Sequence, residues 1–285
     1  MQASFAAAKP ASKATAFRAE IAAYAILGAV ALLALLGPTL SGLDPMTQSV
    51  GGSHAGPGAA HWLGQDHLGR DIFTRLAVGA RLTMTVALAS TATAILFGAV
   101  LGLLAVVAGR WAEWPVFGAF DLVRAMPSIL LAMTLLVALG PGVPSVTLAI
   151  GIAFAPTFAY VARAAWMRET SAGYVAAANV MGSPPLTTLV RHIAPNILGA
   201  IVTQAAIVIP RAITTESVLS FFGIGVSPGT PTWGRMIADA VKYVERAPLA
   251  ALVPVLALSM VTLAFALLGD RLRLRWDPLR KGIAS

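Results

Sequence analysis

The 285-residue chain contains no cysteine. That excludes disulfides, thiolate metal sites and cysteine nucleophiles. Charge is nearly as scarce: 11% of residues are Asp, Glu, Lys or Arg, against 58% hydrophobic, where a soluble domain usually carries about 25% charged residues. With so few polar groups available to cover a globule, much of the surface must face lipid. No G-x4-G-K-[ST] phosphate loop is present, and no Ser/His/Asp arrangement has a catalytic spacing. The chain is therefore expected to be no enzyme and to bind no ATP, Mg or other cofactor itself. The charge that is present is positive, +8 with a pI near 10.6. Such a balance can mark a nucleic-acid partner, but its placement has another explanation.

A hydrocarbon core of about 30 Å takes roughly 20 apolar residues per helix. Apolar runs of that kind fall at Ile21–Leu40, Leu82–Val107, Ala119–Leu139, Ser145–Ala162, Asn196–Val218 and Ala247–Leu268. The expected fold is an all-α polytopic membrane protein of six transmembrane helices. Ile21–Leu40 follows Lys9, Lys13 and Arg18 but is longer than a signal core and lacks an A-x-A-like cleavage site, so it reads as an uncleaved anchor. Six spans put both termini on one side. That side collects Lys9, Lys13, Arg18, Arg110, Arg124, Arg163, Arg168, Arg191, Arg271, Arg273, Arg275, Arg280 and Lys281, whereas the opposite connectors are nearly balanced. Basic residues gather on the cytoplasmic side of membrane proteins. The bias thus predicts cytoplasmic termini and accounts for the pI without nucleic acid.

The expected organisation is a cytoplasmic tail (1–20), a transmembrane domain (21–268) and a second cytoplasmic tail (269–285), with outer loops at 41–81 and 219–246. No internal repeat or second domain is visible. In the cytoplasmic connector 163–195, Tyr174, Val175, Ala178 and Met181 share one helical face. Gly182 suits the end of that helix. Ser183 and Pro184 suit the start of a second one, whose apolar positions are Leu186, Leu189, Val190 and Ile193. Two readings are open: a helix pair resting on lipid headgroups, or one seated in a partner's groove.

In the first outer loop, Asp66, Arg70, Asp71 and Arg75 are positioned for ion pairs and helix capping, or for contact with a docking protein. His54, His61, His67 and Asp66 have a metal-compatible chemistry, but His54 sits in a Gly-rich loop and no metal site is expected. Within the fifth span, Pro210 favours a kink, and Arg211, Thr214, Thr215 and Glu216 follow it. Ionisable residues inside a span are costly and usually functional. Pro210, Arg211, Thr215 and Glu216 are candidate pore or gate residues, with a structural bridge to a partner as the alternative. Arg211 and Glu216 are five apart, a poor offset for pairing along one helix. Gly98-x3-Gly102 permits close helix approach. Paired repeats and broken mid-membrane helices, the signature of an ion-coupled transporter, are not evident.

Ala176-Ala177-Ala178-x3-Gly182, with Pro195 thirteen residues on, resembles the E-A-A-x3-G-x9-I-x-L-P loop of permeases of ATP-binding-cassette importers. Ala177, Ala178, Gly182 and Pro195 match; Ala176 replaces the Glu, His192 the Ile and Ala194 the Leu. His61–Arg75 is similar to the H-x-L-G-T-D-x-x-G-R-D-x-x-S-R segment of the C-type subunits of the dipeptide/oligopeptide/nickel family. Leu219–Val226, Pro231-Thr232-Trp233-Gly234 and Leu268-Gly269-Asp270…Asp277-Pro278 follow that family as well. The resemblance implies a permease forming half of a pore, with a homologous second permease, two ATPase subunits and a periplasmic or lipid-anchored binding protein as partners. It implies peptides as the leading substrate, with nickel, glutathione or sugars as alternatives, in a bacterial or archaeal plasma membrane. It places ATPase coupling at Tyr174, Ala177, Ala178, Gly182, Arg191 and Pro195, and binding-protein docking at Asp66, Arg70, Asp71 and Trp233. The family's acidic residue stands at Glu216; Arg211 is not part of its pattern.

Overall fold

In the computed structural model, residues 13–227 and 229–276 are described. The tail residues beyond them, including Lys9, Asp277, Pro278, Arg280 and Lys281, and Pro228 in the second outer loop, lie outside the described residues. The chain is a helical bundle. In order it forms α1 (Lys13–Ser41), α2 (Ile72–Ala94), a π-helical turn (Ile95–Val100), α3 (Leu101–Ala108), α4 (Arg110–Ala125) and α5 (Ser128–Leu139). Then come α6 (Val143–Thr170), α7 (Gly173–Val180), α8 (Pro185–Thr188), a second π turn (Leu189–Ile193), α9 (Ala194–Phe221), α10 (Trp233–Ala240) and α11 (Pro248–Trp276). Among the described residues there is no strand, only the isolated bridge Gln65–Asp71.

Five helical stretches are long and apolar enough to cross a membrane: Phe17–Ser41, Ile72–Ala108, Val143–Thr170, Leu189–Phe221 and Pro248–Arg273. Their apolar residues do not sort into one face, because a span is apolar both where it meets protein and where it does not; only the Val143–Thr170 span is more than half buried against its neighbours. Leu32, Leu35 and Leu36 of α1 are half or more exposed, whereas Val86, Ile150, Phe158, Ile213 and Val261 are fully buried where α2, α6, α9 and α11 meet. Small residues set the spacing of these seams. Gly98 and Gly102 lie against Ala155 and Ala159 of α6, and Gly151 of α6 lies against Thr93 of α2. A side chain at Gly98 would run into the Ala155 carbonyl, so the expected packing role of the Gly98/Gly102 pair is what the structure shows.

The expected third span, Ala119–Leu139, is not one straight helix. α4 and α5 meet at 99°. Met126 is extended (φ −97°, ψ 139°) because it precedes Pro127, and a residue before proline is driven out of the helical region. α4 runs along the lower half of α6 through Arg163–Glu113 (2.6 Å) and Tyr160–Asp121 (2.6 Å), and α5 packs on its other half. The break therefore sits about halfway along α6. One broken helix is present where none was expected.

Other boundaries move in a consistent direction. The second span starts at Ile72, ten residues before its apolar run, because Asp71 caps it: the carboxylate accepts the Thr74 N–H (2.7 Å) and hydroxyl (2.6 Å). The 163–195 connector is shorter than expected. α6 reaches Thr170, and the second amphipathic segment passes through a π turn directly into α9, with Pro195 in the first turn of that helix.

Gly98→Ala is expected to cost about 1–3 kcal/mol, the usual range for overpacking. Gly118→Ala, where an added Cβ meets nothing within 4 Å, should be neutral or slightly stabilising. Thermal unfolding of the purified variants in detergent checks the pair.

Candidate functional site

Three places on the bundle carry the polar chemistry. At the end where α2 and α11 begin, the segments 41–71, 222–227 and 229–247 fold into a cap. Its centre is a buried ion cluster. Asp66 accepts the Leu68 and Arg70 N–H groups (2.9 and 3.0 Å) and pairs with the Arg70 guanidinium at 2.6 Å. Asp239 of α10 takes Arg70 at 3.0 Å, Arg75 at 3.6 Å and Arg235 at 3.4 Å. Trp233 is fully buried beneath the cap, and its indole N–H donates to the Leu76 carbonyl at 3.1 Å. Gly234 backs directly onto the Ser217 backbone, leaving no room for a Cβ.

Asp66, Arg70, Asp71 and Arg75 are thus 2–6% exposed, not surface ion pairs. Their carboxylates and guanidiniums are spent on one another, on backbone groups, on Asp239 and, for Asp71, on Thr74 and His61. Together with Trp233 they hold the two outer segments to each other from beneath, and little of these side chains reaches the cap's surface. The cap's exposed apolar groups include Trp62, Phe222, Val241 and Val244, which alternation and spacing alone did not single out.

The histidines of the first outer segment have other partners. His61 pairs with Asp71 at 3.0 Å, and His67 stacks on Tyr243 at 4.7 Å. Among the described residues no three His, Asp or Glu side chains form a metal-binding group. Burial holds the His67 imidazole below its usual pKa of 6.5, against the opposing pull of Asp66.

Halfway along the bundle, the α4–α5 break opens a cleft of about 510 Å3 lined by Arg124, Ser128, Thr157, Arg211, Thr214, Thr215 and Thr262 among apolar neighbours that include Met126, Phe154 and Pro210. Three of the expected pore residues, Pro210, Arg211 and Thr215, meet here. Glu216 does not. It lies on the buried side of α9, where it accepts the Ser220 hydroxyl at 2.7 Å and faces Ser217 and Thr83. Arg211 and Glu216 form no ion pair, as their spacing suggested. Arg124, Ser128, Thr157 and Thr262 were not singled out as pore residues, since no sequence signal joins positions on four different helices.

At the opposite end, α7 and α8 form a bent projection. Glu169, the last acidic residue of α6, is its anchor. One carboxylate oxygen accepts the Tyr174 hydroxyl (2.6 Å) and the Asn196 amide (2.9 Å), and the other pairs with Arg168 at 2.8 Å. One side chain thus ties α6, α7 and α9 together. Burial and the adjacent Glu169 carboxylate push the Tyr174 phenol above its usual pKa. Gly182 adopts φ +74°, the left-handed conformation that terminates helices at glycine. The expected apolar face is split: Val175 and Ala178 are buried, while Tyr174 is 40% and Met181 79% exposed. Ala177, Gly182, Arg191 and Pro195 are exposed as well. The tip carries Val180 (89% exposed), Met181 and Val190 (61%).

A bundle of membrane-length helices with a polar opening at mid-height and ordered caps at both ends is a multi-pass membrane transport component. Residues 94–281 match the family described as "Binding-protein-dependent transport system inner membrane component", and the chain belongs to that family. It is a transport permease subunit, a multi-pass protein of the bacterial inner membrane. The dipeptide transport system permease protein DppC of Alkalihalophilus pseudofirmus is 34% identical over 256 residues, covering 90% of this chain and 84% of that one. The glutathione transport system permease protein GsiD of Pectobacterium atrosepticum is 38% identical over 226 residues, covering 79% and 75%. Among solved structures, an inward-facing conformation of the MetNI methionine ABC transporter superposes with a TM-score of 0.58 at 18% identity. It covers 71% of this chain and 96% of that one. The likeness is one of fold.

Asp66, which also lies 3.6 Å from Arg75, is one of two carboxylates in the cluster; Asp66→Ala leaves the buried Arg70 and Arg75 to share Asp239 alone and should destabilise the cap by about 3–5 kcal/mol, seen as protease cleavage within 41–71 in variant but not parent. A second expectation concerns pH. Because folding holds the His67 pKa down, the unfolded cap binds more protons than the folded one as pH falls below 6.5, so stability is full above that value and is lost below it. His67→Phe, which keeps the ring on Tyr243, should flatten the loss of cap stability in this acid range, measured by the same proteolysis as a function of pH.

Proposed function

We propose that this chain forms half of the translocation pore of an ATP-binding-cassette importer for di- and oligopeptides or a similar solute such as glutathione. The α7–α8 end faces the cytoplasm, because the Lys and Arg residues collect there. A homologous second permease completes the pore across the mid-bundle cleft. Two ATPase subunits, which bind the ATP and Mg that this chain has no phosphate loop to hold, seat against α7 and α8. A periplasmic or lipid-anchored binding protein docks on the outer cap, against Trp62 and Phe222 rather than against the buried ion cluster. Peptide and glutathione relatives support the substrate class.

The observation that carries this reading is the α7–α8 tip. Val180, Met181 and Val190 expose apolar surface at the polar end of a membrane protein, where water makes such a patch unfavourable unless a partner covers it. Glu169 connects that tip to α6 and α9, two helices that also line the cleft. A push on α7 therefore reaches the pore walls through one hydrogen-bonded joint.

Met181→Asp should uncouple the assembly. A desolvated interface residue of this kind typically accounts for about 2 kcal/mol or more, so substrate-stimulated ATP hydrolysis and uptake in proteoliposomes should both fall by roughly tenfold or more while the chain still inserts. Met181→Leu should retain both. Unchanged stimulation in Met181→Asp and in Val180→Asp would contradict the coupling role.

A further inference from the structure

The cleft is more than a gap between helices. Its polar wall consists of two guanidiniums, Arg124 and Arg211, with the hydroxyls of Ser128, Thr157, Thr214, Thr215 and Thr262, and no carboxylate lines it. Arg211 forms no ion pair among the described residues. Arg124 lies over the Tyr160 ring at 4.6 Å. The nearby Asp121 accepts the Tyr160 hydroxyl, and Glu216 is held on the far side of α9 by Ser220. The Thr262 Oγ1 atom is buried at this wall with no hydrogen-bond partner.

The α4–α5 break adds a third source of positive potential. Ser128 opens the 12-residue α5, and its first turn has no side-chain cap. The free N–H groups and dipole of a helix N-terminus favour an anion. The bend brings that terminus to the same wall as the two arginines. All of this lies near the middle of α6, α9 and α11, where a fixed cation is expensive unless water or a counter-ion reaches it.

We infer that the cleft is a carboxylate-binding subsite on the translocation path, through which solutes with a free carboxylate, such as the C-terminus of a peptide, pass on Arg211 and Arg124. The inference rests on the cleft being half of the pore. Two guanidiniums suit a planar carboxylate through paired N–H donors. The Thr214 hydroxyl donates to the Pro210 carbonyl at 3.0 Å; the other four can supply further donors. The exposed setting keeps the contact weak enough for release.

The chain has no native cysteine, so Thr214→Cys introduces one reporter at the cleft. In membrane vesicles holding the assembled transporter, this cysteine is converted to a mixed disulfide, with release of methanesulfinate, by an anionic sulfonatoethyl or a cationic trimethylammonioethyl methanethiosulfonate, and the mass shift is read on this chain. The anionic reagent is expected to react roughly tenfold faster relative to its rate with a free thiol, as a nearby fixed charge requires. Arg211→Gln should bring that preference close to one and Arg211→Lys should keep it; Arg124→Gln serves where Arg211→Gln does not assemble. Millimolar glycylglycine should slow labelling, and glycylglycinamide, which lacks the carboxylate, should not. A preference near one in the parent, a preference insensitive to both arginine variants, or equal protection by the two peptides overturns the carboxylate subsite while leaving a water-filled pore intact. Absence of labelling by either reagent overturns the subsite and the pore reading together.

Discussion

A backbone amide in the hydrocarbon core has no water to bond, so every peptide group there must find a partner within the protein. The architecture follows from that constraint. It dictates helices throughout the spans, and it makes the Met126–Pro127 break admissible only where it faces a polar interior. The break is also what gives the bundle its chemistry. Without it, α4 and α5 would form a continuous rod along α6, and Ser128 and the free end of α5 would not reach Arg211. The cost of interrupting a helix in a membrane is thus tied to the opening that a transport component needs.

The same constraint explains the two polar ends. Charges kept out of lipid are concentrated in the cap and at the α6–α7 joint, and in both places they are bonded rather than spread over the surface. The Asp66–Arg70–Arg75–Asp239 cluster draws residues from segments about 170 positions apart into one buried network. It fixes the outer loops over the bundle, as Glu169 fixes α7 against α6 and α9. Rigid joints of this type transmit displacement between packed helices more directly than flexible loops do.

The sequence made the class of the protein readable because composition and span length are properties of the solvent, not of tertiary contacts. The apolar runs, the Lys/Arg asymmetry and the Gly182 helix end required no knowledge of which helices touch. The motif at His61–Arg75 was equally visible, but its burial was not: local spacing shows that Asp66 and Arg70 can meet, not that Asp239 closes over them. The cleft was half legible. Arg211 and Pro210 stood out within an apolar run, whereas Arg124, Thr157 and Thr262 came to line the cleft only through the bend at Pro127 and the pairing of four helices. Glu216 was singled out for the same reason as Arg211, yet helical geometry sends the two to opposite sides of α9. Glu169 went unnoticed because a glutamate beside an arginine at a helix end is ordinary until Tyr174 and Asn196 fold onto it.

The central claim is that the α4–α5 break and α9 line a passage shared with a second permease. A structure of the assembled transporter in lipid nanodiscs addresses it directly. The account predicts that Arg124, Arg211 and Thr214 border a solvent-filled space on the axis between two permease subunits, with α7 seated in an ATPase. Those three side chains facing acyl chains, with the two permeases joined through another surface, would contradict it.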